Sequence, residues 1–81
     1  MDNLNAFRER LYEENYIYIH DLAKSRLLDK NLVDVVVRLT FRMAFKRLPE
    51  LEKDPKPRRW IYRTALNIID HCNEEGGIPD A

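Results

Sequence analysis

The side chains best suited to chemistry lie between positions 56 and 67: Lys56, Arg58, Arg59, Trp60, Tyr62, Arg63 and Asn67. Four cations within eight residues, interleaved with two aromatic rings, suit a polyanion that carries flat bases. Lysine and arginine neutralise phosphates, and Trp and Tyr offer faces on which unstacked bases stack. Pro57 fits the first turn of a helix, where a missing N–H costs nothing, and the amides of a helix start attract anions. The same residues have an ordinary structural use: the two rings in a core and the arginines on a solvated face. The residue types alone leave both uses open.

Other chemistries lack their parts. The only glycines are Gly76 and Gly77, so there is no glycine-rich phosphate loop. His20 and His71 fall on different helical stretches, and His71-Cys72 has no further Cys or His at ligand spacing. The carboxylates are scattered among basic residues on amphipathic segments. The expectation is a protein that is not an enzyme and needs no cofactor or metal.

These residues must be positioned by a small scaffold. The chain has 81 residues, which is one domain. A domain of this size buries only about 60 % of the surface its unfolded chain exposes, so its core is thin. Cys72 is the single cysteine, which rules out an internal disulfide and reads as a small apolar side chain. No apolar run approaches the ~20 residues that span a bilayer, and a cytoplasmic location is expected, with no membrane partner. Net charge is zero but unevenly spread. Leu32 to Arg63 holds nine Lys/Arg against four Asp/Glu, whereas Thr64 to Ala81 holds four acids and no base. The middle of the chain can face phosphates, and its end cannot.

Three helices are legible from apolar spacing. The first covers about Asn3 to Leu28, with one stripe through Leu4, Phe7, Leu11, Tyr18 and Leu22 and another through Tyr12, Tyr16, Ile19, Ala23 and Leu27. Asp29-Lys30-Asn31 breaks the pattern and can cap the next helix. That second helix covers about Leu32 to Leu48, and Pro49 to Lys56 reads as a loop punctuated by prolines. The third runs from Pro57 to about Asn73, with Ile61, Ala65, Ile68 and Cys72 as its core stripe, widened by Ile69. Residues 1–75 are expected to form the domain and 76–81 a flexible tail.

Two segments carry a resemblance. Thr40-Phe-Arg-Met-Ala-Phe45, then a polar loop, then Pro57-Arg-Arg-Trp-Ile-Tyr-Arg-Thr-Ala-Leu-Asn67 resemble region 2 of the extracytoplasmic-function group of bacterial sigma factors, in the sigma-70 family. The family shows a Thr-Phe dipeptide, an Ala-aromatic pair three residues on, a loop, and then Pro-Arg-x-Trp-Leu-Tyr-Arg-x-Ala-x-Asn. The resemblance spans about residues 4–71. It implies an all-α fold: a small three-helix or four-helix orthogonal bundle, as a stand-alone or excised domain. It also implies transcription initiation as the function, with −10 promoter DNA and the β′ clamp of RNA polymerase as partners. Arg58, Trp60, Tyr62, Arg63 and Asn67 match the family's pattern on the helix that holds the melted non-template strand, and Lys56 and Arg59 extend the basic cluster. The loop from Leu48 to Lys56 corresponds to the loop that captures a flipped base.

The second helix departs from the family. Aligned on Thr40-Phe41, places where the family presents acids and a glutamine to polymerase hold Leu32, Asp34, Val35, Arg38 and Leu39. Val33, Val36, Val37, Thr40, Phe41, Ala44 and Leu48 make a core face. Leu32, Val35, Leu39 and Met43 make a second stripe beside it, flanked by Arg38 and Arg42. The apolar arc then spans roughly 240°, well beyond the ~100° a surface helix needs. This stripe reads either as internal or as an interface for a partner helix, most simply a second copy in a symmetric dimer. A dimerising regulator without promoter recognition is the competing function.

Overall fold

A computed structural model of the chain describes residues 3–76. Across these residues the fold consists of four α-helices and one 3-10 turn: α1 (Asn3–Arg26), the turn Lys30–Leu32, α2 (Val33–Phe45), α3 (Leu48–Lys53) and α4 (Pro57–Gly76). No strand occurs among the described residues, so the all-α expectation holds. Helix α4 runs three residues past the expected end at Asn73. Gly76, expected to open the tail at 76–81, is the last residue of α4, and residues 77–81 lie outside the described residues.

Helix α1 buries Leu11, Asn15, Ile19 and Ala23, and Leu27, just past its end, continues the line. A strict spacing of four advances about 40° per step on a helix of 3.6 residues per turn. The buried edge of α1 therefore winds around it, which lets one helix serve several neighbours. Tyr12 and Tyr18, expected in the apolar stripes, flank that edge and stay exposed on opposite sides. The end of α1 has no glycine, and no described non-glycine residue has a positive φ. Its last carbonyls, which lack intrahelical partners, are met by side chains. Lys30 Nζ donates to the carbonyls of Lys24 and Leu27, both at 2.6 Å. Asn73, far along in α4, donates from Nδ2 to the Arg26 carbonyl at 3.0 Å and accepts from the Leu28 amide at 2.9 Å. Asp29 caps the 3-10 turn by accepting from the Asn31 amide at 3.0 Å.

Helix α2 buries Val33, Val36, Val37, Thr40, Phe41 and Ala44, the face its spacing predicts. The Thr40 hydroxyl, fully buried, donates to the Val36 carbonyl at 2.8 Å, so its burial leaves no unmet donor. The helix ends at Phe45, three residues before the expected end. Proline at 49 has no N–H to donate to the Phe45 carbonyl and its ring would clash there. The chain instead turns at Lys46–Arg47 and restarts as α3, with Pro49 in the first turn. The segment expected as a loop is thus largely helical, and Leu48 and Leu51 bury themselves from it. Its charged residues Glu50, Glu52 and Lys53 and its two prolines mask this in the sequence.

Helix α4 opens after an Asx turn in which Asp54 Oδ1 accepts from the Lys56 amide at 2.8 Å. Ile61, Ala65 and Ile69 are its buried line, with Thr64 beside them. Ile68 and Cys72, expected at the centre of that stripe, are half-buried at its margin.

Cross-helix pairs fix the directions. Arg8 lies over Phe45 and Tyr12 against Phe41, so α1 and α2 run antiparallel. Arg58 meets Asn15, Tyr62 meets Tyr18 and Asn73 meets Arg26, so α4 runs parallel to α1. The Cα envelope is 52 × 18 × 17 Å. A helix as long as α1, about 36 Å at 1.5 Å per residue, fits only along the long axis, and α4 at about 29 Å does too. The long helices are therefore aligned, which corrects the expected orthogonal arrangement. Long-range side-chain ties between α1 and α4, invisible in local spacing, set this geometry.

Candidate nucleic-acid interface

Arg58 and Arg59 are adjacent, yet the phase of α4 sends them in different directions. Arg58 stands three residues before buried Ile61, on the side that meets α1. Its Nε donates to Asn15 Oδ1 at 2.6 Å and its Nη2 to the Glu14 carbonyl at 3.0 Å. Its guanidinium carbon lies 5.0 Å from the centre of the Tyr18 ring. Asn15 is 3 % exposed, and its Nδ2 donates to the Leu11 carbonyl at 2.8 Å. Arg58 thus satisfies the buried Asn15 carbonyl oxygen and ties α4 to α1. Tyr62, one turn on, is half-buried against Tyr18 with ring centres 5.8 Å apart. Both residues, expected to contact nucleic acid, spend much of their capacity on the scaffold.

The opposite side of α4 faces solvent. Lys56, Arg59 and Arg63 are exposed, and Trp60 is half-buried. Together with Asp54 and Pro55 they line an open groove at the start of α4. Arg47, from the turn between α2 and α3, reaches over the Trp60 ring at 5.7 Å. None of Arg47, Lys56, Arg59 and Arg63 is in an ion pair among the described residues. Asp54 is the one acid of this groove, and its Oδ1 is turned to the Lys56 amide. Asn67 is exposed two turns along the same side as Trp60 and Arg63. Five of the seven expected residues therefore share one outward face, and two point towards α1.

Sequence reading missed Arg47 as a member of this site and Tyr18 as the partner of Arg58 and Tyr62. A basic residue just ahead of the Pro49 break was the available signal for Arg47. Nothing local marks Tyr18, because its partners lie 40 and 44 positions away in the sequence.

A second surface lies on α2. Val35, Leu39 and Met43 are 40 %, 37 % and 45 % exposed, and Leu32 is packed partly against the core. The four-residue stripe thus divides: its first member is anchored and the other three reach solvent. Arg38 and Arg42 are exposed beside it. On the other flank of these arginines, Tyr12, Tyr16, Phe41 and Phe45 form an aromatic cluster in the α1–α2 seam. No helix among the described residues is long and apolar enough to cross a membrane. Compared with protein-family models, with curated proteins and with solved structures, the chain finds no significant match.

Proposed function

We propose that this chain is a sigma region 2-like module that binds melted −10 promoter DNA and works with RNA polymerase in transcription initiation. The observation that carries this reading is the outward face of α4. There Lys56, Arg59 and Arg63 surround Trp60, Arg47 adds a fifth side chain, and no ion pair among the described residues occupies the cations. Phosphates meet the cations while a base stacks on the indole. The same segment, Pro57 to Asn67, carries the family's sequence pattern and lies on a single uninterrupted helix. The role is one of binding, with no catalytic step of its own.

The test is a fluorescence titration of labelled single-stranded −10-type DNA at low salt, with duplex DNA as the control. Saturable binding that weakens steeply with salt supports the proposal, as does co-purification with polymerase. Absence of both sinks it.

The exposed Val35/Leu39/Met43 stripe favours a second reading, a regulator that docks on another helix or on a second copy. Sedimentation that shows only monomer at high concentration counts against the second copy. A Leu39→Glu change leaves the monomer folded and removes the partner if this reading holds.

A further inference from the structure

The groove beneath Trp60 has a neighbour. Between α1 and α4 lies a second open groove, walled by Phe7, Arg10, Tyr18, Arg58 and Tyr62. Pro55, Lys56 and Arg59 line both grooves. Lys56 and Arg59 are therefore a cationic ridge with an aromatic-walled depression on each side. On one side the wall is Trp60; on the other it is the Tyr18–Tyr62 pair, whose rings are 5.8 Å apart and tilted by 36°. The second depression also has its own cation in its lining, Arg10, whose guanidinium carbon stands 5.9 Å from the centre of the Phe7 ring. Glu14 is the one acid in its lining.

We infer that a single nucleic-acid strand crosses the Lys56–Arg59 ridge, with one base against Trp60 and another in the α1–α4 groove. This rests on the nucleic-acid reading of the α4 face and adds a second base site to it. Charge and shape argue for one continuous strand over two separate ligands. A phosphate on the ridge is reached by both cations, and a sugar–phosphate backbone resting there can direct bases to both sides. The second base packs against the exposed parts of Tyr18 and Tyr62, beside the Arg58 guanidinium that lies over the Tyr18 ring, in a groove that Arg10 also lines. Arg58 is already held by Asn15 and Glu14 and contributes to this wall without being freed. Contact of this kind with aromatic and cationic side chains tolerates any base, so the second site adds affinity and reach, with little choice among bases.

The experiment uses the 81-residue chain and five-nucleotide strands that are abasic except for one thymine or two thymines placed three positions apart. Binding is followed by anisotropy at low salt, with helicity checked by circular dichroism. The expected result is that the two-thymine strand binds about tenfold more tightly than the one-thymine strand, within the range for one stacked base. That advantage falls to about twofold or less in Tyr18→Leu and in Arg10→Ala. Arg10 is exposed and outside the core, so its variant keeps the test open should Tyr18→Leu lose helicity. Trp60→Ala weakens both strands. An advantage unchanged in both groove variants overturns the second site while leaving the Trp60 face standing. Equal displacement of either strand by polyglutamate at matched charge shows a generic cation patch and overturns it too. If neither strand binds the unmodified chain, the nucleic-acid reading and the second site fall together.

Discussion

The two sides of the first two turns of α4 make a controlled comparison within one helix. Arg58 and Tyr62 on one side and Arg59, Trp60 and Arg63 on the other have nearly the same chemistry. Those facing α1 meet a buried amide, a backbone carbonyl and a tyrosine ring, and they join two helices. Those facing away meet solvent and Arg47. A cation cluster in a sequence is therefore not one functional unit. Helical phase divides it into residues that build the platform and residues that stand on it.

Substitutions at five positions test that division. The largest effect is expected from Ile61→Ala, since Ile61 is fully buried between the two sides and anchors both. The cavity left there should cost about 2–5 kcal/mol, read as a lowered urea midpoint, and should disturb both sides together. Arg58→Ala comes next. It leaves the buried Asn15 oxygen without its donor and should cost about 1–3 kcal/mol, whereas Arg59→Ala should change stability by no more than about 0.5 kcal/mol. Equal losses from the two variants would dissolve the distinction. Third, the order should reverse in salt-dependent binding to single strands. Removing one phosphate contact lowers the slope of log K against log salt by roughly 0.7, so Arg59→Ala and Arg63→Ala should each show that change. Arg58→Ala, measured where it remains folded, should show less. The smallest effect is expected from Asn67→Ala, which sits on the outward face beyond the cation cluster. Its stability should stay within about 0.5 kcal/mol, and its salt slope should match the unmodified chain because no charge is lost.

Much of this was legible in the sequence, and the failures have physical causes. The buried face of α2 followed from its spacing, with Val33, Val36, Val37, Thr40, Phe41 and Ala44 in phase, whereas the wide apolar arc left the fate of the neighbouring Val35/Leu39/Met43 stripe open. The start of α4 followed from Pro57. Helix α3 escaped notice because a proline that ends one helix can open the next, and only Leu48 and Leu51 signal that the intervening residues pack. The division of the basic cluster was half-legible. Arg58 lies three residues before Ile61 and so on its side of the helix, but its partners there, Asn15 and the Glu14 carbonyl, come from a helix more than 40 residues earlier. The aligned geometry of the bundle was illegible for the same reason, since only such distant pairs fix one long helix against another.

The α1–α4 seam is pinned at two places well separated along α4. Near its start Arg58 grips Asn15, and near its end Asn73 donates to the last carbonyl of α1, at Arg26, and accepts from the Leu28 amide just beyond it. One pin alone would let α4 swivel about its own axis; two pins about four turns apart arrest swivel and slide together. The compass bearing of Arg59, Trp60 and Arg63 is thereby set before any ligand arrives, and little backbone freedom remains to be lost on contact. Loosening the distant pin, at Asn73, should blur the bearing of a tryptophan that it never touches.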